Sequence, residues 1–521
     1  MGNAHPAVSH PTIAVLSETP EQHKNPHSAL TPDDPPVGGM AMEEAEAALG
    51  SAGTIQAGKL AGRSMWSAIG ILALPILVQQ LMAALLGLFD KIFAGGLPKD
   101  IVVPALDGLG IAAYIGWFIG IAMTGLGIGG QALIARAMGG GKIKEGEQAL
   151  GQAFMLSALW GGLVGIGLWS FAPFLARVTE LTPEAAGYCV TYIRTLSCAM
   201  PFSGIMMVGA MCLHGAGETT KPSIIMVGVN VVNIFFSWML SGAVMRFGER
   251  KLENPFSFDL HVLGIALGTA LSYVVGAILI AGVLRRGVKD LKLHPRLMKP
   301  DKGIIGRIVN IGLPNFLEGI SMWAVNLFVL KFIGQIATRT GEEGLQGAHI
   351  IAVQWESFSF LPGFAIGTAA GALAGQYLGA GNPRMAQKTI LACTGIGIVV
   401  MGLLGVIYMT QGDTLTSIIS GEQVHLDHTP NLLFICGTMQ VFFAVLMIVR
   451  QGLRGVGDTK WTLFITTLSS YGVRLPASYF MGVYLGWGLE GIWYGLCGEF
   501  GVRALLFSSR FFHGGWKRIK V

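Results

Sequence analysis

Apolar and polar positions along this chain fall into long blocks and do not alternate. The blocks run near 68–96, 108–137, 149–173, 186–212, 222–245 and 261–284, then near 306–336, 349–378, 388–409, 430–450, 461–484 and 488–509, with charged or Pro/Gly-rich breaks between them. Each is long enough to cross a hydrocarbon layer of about 30 Å as a helix rising 1.5 Å per residue. Barrel strands would be shorter and would alternate, and in lipid an open segment satisfies its own backbone only as a helix. The pattern predicts an all-α polytopic membrane protein with twelve transmembrane helices.

The chain also repeats itself about 240 residues apart. Cys212-Leu213-His214-Gly215-Ala216-Gly217-Glu218-Thr219 returns as Gly452-Leu453-Arg454-Gly455-Val456-Gly457-Asp458-Thr459, and Met138-Gly139-Gly140-Gly141-Lys142 as Leu378-Gly379-Ala380-Gly381-Asn382. Leu74-Pro75 answers Leu313-Pro314, and Lys91 answers Lys331. Six spans per copy bring the chain back to its starting side, so the two lobes are expected to be parallel repeats about an axis along the membrane normal.

Composition agrees: 52% of the 521 residues are hydrophobic and 12% charged, against about 25% charged in soluble domains. The lobes are expected at 65–284 and 308–509, joined by a basic linker at 285–307, with a basic tail at 510–521. Residues 1–64 are expected to form a mostly disordered tail, disordered over His5–Met40 and with a short helix over Met42–Gly50. No cleaved signal peptide is expected, since no n-region, h-region and cleavage-site pattern is found. Loops on the linker's side carry 20 Lys and Arg against 6 on the other, which puts the linker and both termini in the cytoplasm of a plasma membrane, the bacterial inner one. The formal charge of +5 follows from that asymmetry without a nucleic-acid partner. The six cysteines lie in or beside apolar spans with no CxxC spacing, as buried thiols.

These motifs resemble those of the multidrug and toxic compound extrusion family. LALPILVQQLMAALLGLFDKIFAGGL (72–97) is similar to its opening helix, QWESFSFLPGFAIGTAAGALAGQYLGAGNPRMAQ (354–387) to its eighth, and HGAGETTKP (214–222) with RGVGDTK (454–460) to its cytoplasmic loops after the fourth helix of each lobe. The resemblance implies two six-helix lobes in a V around a central cavity that opens alternately to each side, exporting organic cations in exchange for sodium ions or protons. Two positions depart from the family pattern. Where the proton-coupled branch has Asn and then Asp on the fifth helix, this chain has Asn233 and Ser237. Where other branches have Glu eight residues after the proline of the seventh helix, it has Met322, with Glu318 one turn earlier.

The candidate residues follow from charge inside apolar spans, which is costly unless it faces an interior. Asp90, with Asn233 and Ser237, is the candidate ion-coupling group; structural pairing is the other role open to it. Glu318 and Glu356, beside Trp323, Trp355 and Gln354, are candidates for substrate contact, since a carboxylate next to rings suits a lipophilic cation. Helix-to-helix hydrogen bonding fits them too. Lys91 and Lys331 reach either the headgroups or the cavity, and in the cavity they would favour anionic or zwitterionic cargo. Pro75, Pro314, Pro362 and Gly363 are candidate hinges. Glu499 is placed to pair with Arg503 one turn on, and Arg136 to serve as a headgroup or gate contact.

Gly125-Leu126-Gly127-Ile128-Gly129-Gly130 matches the dinucleotide fingerprint but follows no strand, so its glycines are expected to admit a neighbouring helix. His425 and His428 are weak metal candidates. Neither cofactor nor catalytic residue is expected, and no P-loop is present. The partners implied are a lipid bilayer and a small organic molecule, around a single copy of the chain. A flippase of lipid-linked or envelope precursors is the close alternative, and a membrane enzyme acting on lipid head groups the more distant one.

Overall fold

The computed structural model describes residues 53–178, 181–247, 250–256 and 258–519. The disorder and short helix expected before residue 51 lie outside the described residues. Long helices carry the fold: α1 (Met65–Gly95), α2 (Val102–Gly139), α3 (Ile143–Val178), α4 (Pro183–Gly215), α5 (Thr220–Ser241) and α6 (His261–Arg286), then α7 (Lys302–Thr340), α8 (Leu345–Gly379), α9 (Pro383–Thr410) and α10 (Gln423–Gly455). These ten are long and apolar enough to cross a membrane. After them α11 (Thr459–Ser469) continues through π-helical turns to Tyr484, and α12 (Gly488–His513) carries Glu490, Glu499, Arg503 and Arg510. The all-helical expectation misses one ribbon in the loop after α5, where β1 (Met245–Phe247) pairs antiparallel with β2 (Arg250–Leu252).

Helix starts are set by local chemistry. The side chains of Ser64, Thr182, Asp301 and Asn382 accept the free backbone N–H groups that open α1, α4, α7 and α9. Pro75 has no N–H to give to the Ile71 carbonyl one turn back. Thr219 Oγ1 donates to that carbonyl instead, at 2.9 Å, and Ser223 Oγ donates to the carbonyl of Pro75 itself. The repeated loop motif thus repairs the proline break in α1 and stitches it to α5.

The two halves are wired alike. α4 packs on α2, α3 and α6 and α5 on α1, as α10 packs on α8, α9 and α12 and α11 on α7. Between the halves, α1 meets α8, α7 meets α2, and α2 meets α8. Gly125 and Gly129 lie against Gly312, Phe316 and Ile308 of α7, so the false fingerprint is where the halves approach closely. At the linker end α2 and α8 touch backbone to backbone: a Cβ on Gly139 would overlap the Gln376 carbonyl, and one on Gly379 the carbonyl of Arg136. Arg136 Nη2 donates to Val456 O at 3.1 Å, and Gln376 Nε2 to Gly215 O at 2.7 Å. Each copy of the repeated loop therefore receives a side chain from the other half. Gly139→Val is expected to cost about 1–3 kcal/mol through overpacking, read as a lower melting temperature; an unchanged one would refute the close contact.

Residues 53–64 lie over this junction. Ile55 and Leu60 are buried, the Gln56 backbone N–H donates to Gly139 O, Asn382 Nδ2 donates to Gly53 O at 3.0 Å, and Gly58 N donates to Asp290 of the linker at 2.9 Å. Lys59 pairs with Glu218 at 3.2 Å, while the equivalent acid of the second copy, Asp458, pairs with Arg510 at 2.8 Å. The end of the stretch assigned to the tail is thus a fixed strap touching both halves on the linker side.

Candidate functional site

Asp90, five residues before the end of α1, is buried. Tyr192 of α4 donates its hydroxyl to Oδ2 at 2.5 Å, Thr269 Oγ1 of α6 stands 3.0 Å from both carboxylate oxygens, and Asn233 Nδ2 of α5 lies 3.3 Å from Oδ1. Asn233 also reaches Thr269 at 2.9 Å and Ser237 at 3.3 Å, and Ser237 turns its hydroxyl toward Ile265 O. The three residues expected to couple an ion, Asp90, Asn233 and Ser237, thus form one cluster. Tyr192 and Thr269 complete it, and no spacing in the sequence marked them.

Every side chain that hydrogen-bonds to Asp90 is neutral, and Lys91 beside it is exposed. A buried carboxylate without a fixed positive partner needs a proton or a cation. The groups around it are oxygen-rich, and the Asn233 Oδ1 atom has no partner. Hard cations prefer such oxygen donors. Among the described residues no group of three or more His, Cys, Asp or Glu side chains is placed to hold a metal ion.

The second half is built differently. At the position equivalent to Glu318, the first half has Gln79 hydrogen-bonded to His214 at 3.0 Å. Here Glu318, fully buried, faces Arg454 at 2.7 Å and Arg450 at 3.7 Å and accepts from Thr466 at 2.7 Å. One helix away, the fully buried Glu499 holds Arg503 at 2.6 Å and Arg474 at 3.0 Å, with Ser469 donating to it and Ser470 accepting from Arg503. The pairing expected between Glu499 and Arg503 is present, with Arg474 as a second partner. The π-helical turn over Ser470–Arg474 rotates α11 so that Ser469, Ser470 and Arg474 all reach the α12 network.

The remaining candidates lie apart from Glu318. Glu356 is half-buried in α8 within electrostatic reach of Arg474. Trp355 donates to Leu415 O at 3.0 Å, Gln354 is exposed with its amide toward Ser357, and Trp323 is half-buried on α7. Pro75, Pro314 and Pro362 all sit inside unbroken helices, and Gly363 abuts Met401. On the side away from the linker, His428 is held between Glu490 at 2.8 Å and Glu342 at 3.0 Å, while His425 bonds to Ser420.

Comparison with known proteins agrees with this duplicated architecture. The family model described as MatE matches twice, over residues 75–239 and 314–480. The probable multidrug resistance protein NorM of Thermotoga maritima is 28% identical over 453 residues, 86% of this chain and 93% of that protein. The multidrug resistance protein PmpM of Pseudomonas aeruginosa is 26% identical, over 82% of this chain and 86% of its own. Among solved structures, a MATE in the bent conformation superposes with a TM-score of 0.77 at 20% identity, covering 86% of this chain and 96% of the other. An outward-facing multidrug resistance MATE family transporter does so at 0.76 and 21%, with the same coverage.

Proposed function

Because the chain belongs to the multidrug and toxic compound extrusion (MATE) family, within the multidrug/oligosaccharide-lipid/polysaccharide exporter superfamily, we propose that it is a secondary antiporter. In this reading it exports small lipophilic molecules, cations among them, in exchange for sodium ions or protons. Twelve spans form two lobes in a V around a central cavity, and one copy of the chain does the work. Both termini and the linker face the cytoplasm of the bacterial inner membrane. Glu356, Trp355, Trp323 and Gln354 are the candidate substrate contacts, and the Pro75, Pro314 and Pro362-Gly363 segments the candidate hinges. Glu318 is committed to two arginines and holds its helix in place.

The observation that carries this reading is Asp90, an acid buried in the first lobe whose hydrogen-bond partners are all neutral. A proton or sodium ion arriving at Asp90 removes the cost of its charge, and the cluster joins α1 to α4, α5 and α6, so the ion's presence is felt by four helices at once. The contact of α2 with α8 beneath the strap supports a state closed on the linker side. Alternating access then requires Arg136 and Gln376 to leave the loops they cap in the other lobe.

The test is reconstitution into vesicles with ethidium as the probe and either a sodium or a proton gradient imposed. Gradient-dependent ethidium movement of at least severalfold over protein-free vesicles is expected with one of the two. No acceleration with either ion removes the antiport reading.

A further inference from the structure

The arginines of the second lobe outnumber their acids. Arg450, Arg454, Arg474 and Arg503 are each more than nine-tenths buried, and they share Glu318 and Glu499. Counting Glu356 beside Arg474 still leaves four positive charges facing three negative ones. Arg474 and Arg503 hydrogen-bond to Glu499 and Arg454 is ion-paired with Glu318 at 2.7 Å, whereas Arg450 has no carboxylate closer than 3.7 Å. Its Nη1 stands 3.5 Å from Met322 Sδ, its Nη2 3.3 Å from Met447 Sδ, and its Nε has no partner, while the Glu318 carboxylate is 3.7 Å away and taken up by Arg454 and Thr466. Thioether sulfur is a weak acceptor. A buried guanidinium so placed is left with unused donors and only a distant share of one carboxylate to balance its charge, and both are costly inside a membrane protein.

Arginine keeps its proton at any working pH, so the surplus cannot be relieved by losing one. It is relieved by an anion. The planar fork of Arg450 suits an oxyanion approached edge-on, and carboxylate or phosphate groups fit it in two-point contact. We propose that Arg450 is the recognition residue of an anion site in the second lobe, taking the carboxylate or phosphate group of an amphiphilic substrate. This deepens the export reading and rests on it. The first lobe takes the coupling cation at Asp90, and the second, whose equivalent positions carry Arg454 for His214 and Glu318 for Gln79, takes the cargo's negative group. Arg450 lies near the linker end of α10, so opening that side brings cytoplasmic cargo to it.

The experiment uses three probes of one shape: 1-naphthylacetate, its methyl ester, and a naphthylmethyl trimethylammonium cation. Each is tested against the full chain in phosphatidylcholine vesicles, in a zwitterionic buffer of low chloride and without added carboxylate or phosphate, by thermal stabilisation and by gradient-driven transport. The expected result is stabilisation by 1-naphthylacetate alone, with an affinity about tenfold weaker in Arg450→Gln and partly restored in Arg450→Lys. Because the substitution removes surplus buried charge, Arg450→Gln without probe is expected to melt no lower than the parent, which separates lost recognition from lost folding. Equal stabilisation by acid and ester, or undiminished acid binding in Arg450→Gln, overturns the proposal. An Arg450-dependent shift with chloride or phosphate and none with naphthylacetate assigns the site to an inorganic ion and overturns the substrate class. Transport of the cationic probe by the parent without any Arg450-dependent anion effect sinks the anion site and leaves antiport standing; gradient-driven movement of no probe at all sinks antiport itself.

Discussion

Replacing Asp90 with Asn is expected to abolish gradient-driven transport while leaving the protein folded. Asn has nearly the shape of Asp and still accepts from Tyr192 and Thr269 through its carbonyl oxygen, so the joint between α1, α4, α5 and α6 survives. What it loses is the ability to take up and release a charge. With no basic group hydrogen-bonded to the site, the proton or cation at Asp90 is the only variable charge there, and the coupling vanishes with it. Vesicles bearing Asp90→Asn should show at least a tenfold loss of ion-driven ethidium movement. Exchange of probe at equal ion concentrations should persist. Unchanged ion-driven transport in this variant would take Asp90 out of the mechanism and leave its cluster a structural one.

The sequence displayed the apolar blocks and the duplication because each is a property of many residues at once. The linker was expected at 285–307, and α6 ends at Arg286 with α7 beginning at Lys302. Asp90, Asn233 and Ser237 were legible because acids and amides inside apolar spans are rare enough to stand out. Tyr192 and Thr269 were not, since a tyrosine or threonine in a membrane helix has many other uses and only packing shows which one faces Asp90. Glu318 shows the opposite limit. Its presence in an apolar span was visible, but its partners come from α10 and α11, over 130 residues away, and whether a carboxylate waits for a ligand or is already paired depends on them. Arg450 and Arg474 carried a signal of their own, a full charge inside an apolar block, that would have drawn attention to the second lobe's basic character. The strap at 53–64 left little trace, because burial of Ile55 and Leu60 depends on the loops of both halves rather than on a periodic pattern.

Glu499→Gln is expected to be among the most destabilising single changes in the second lobe. The substitution keeps shape and one acceptor but removes the charge shared by Arg474 and Arg503, leaving two buried guanidinium groups facing one another. Breaking a buried ion pair in this way costs about 3–5 kcal/mol. The loss should appear as a large fall in melting temperature in vesicles or detergent, far greater than for the same change at exposed Glu145. The charge explanation makes a second demand: removing these charges together, Glu499→Leu with Arg474→Met and Arg503→Met, and Glu356→Gln because Glu356 loses its neighbour Arg474, should recover most of the loss. If the combined variant falls as far as the single one, the network owes its stability to hydrogen-bond geometry through Ser469 and Ser470 rather than to charge balance. If Glu499→Gln itself melts like the parent, the Arg–Glu–Arg arrangement contributes no stability, and the charge-surplus argument for Arg450 loses its physical basis as well.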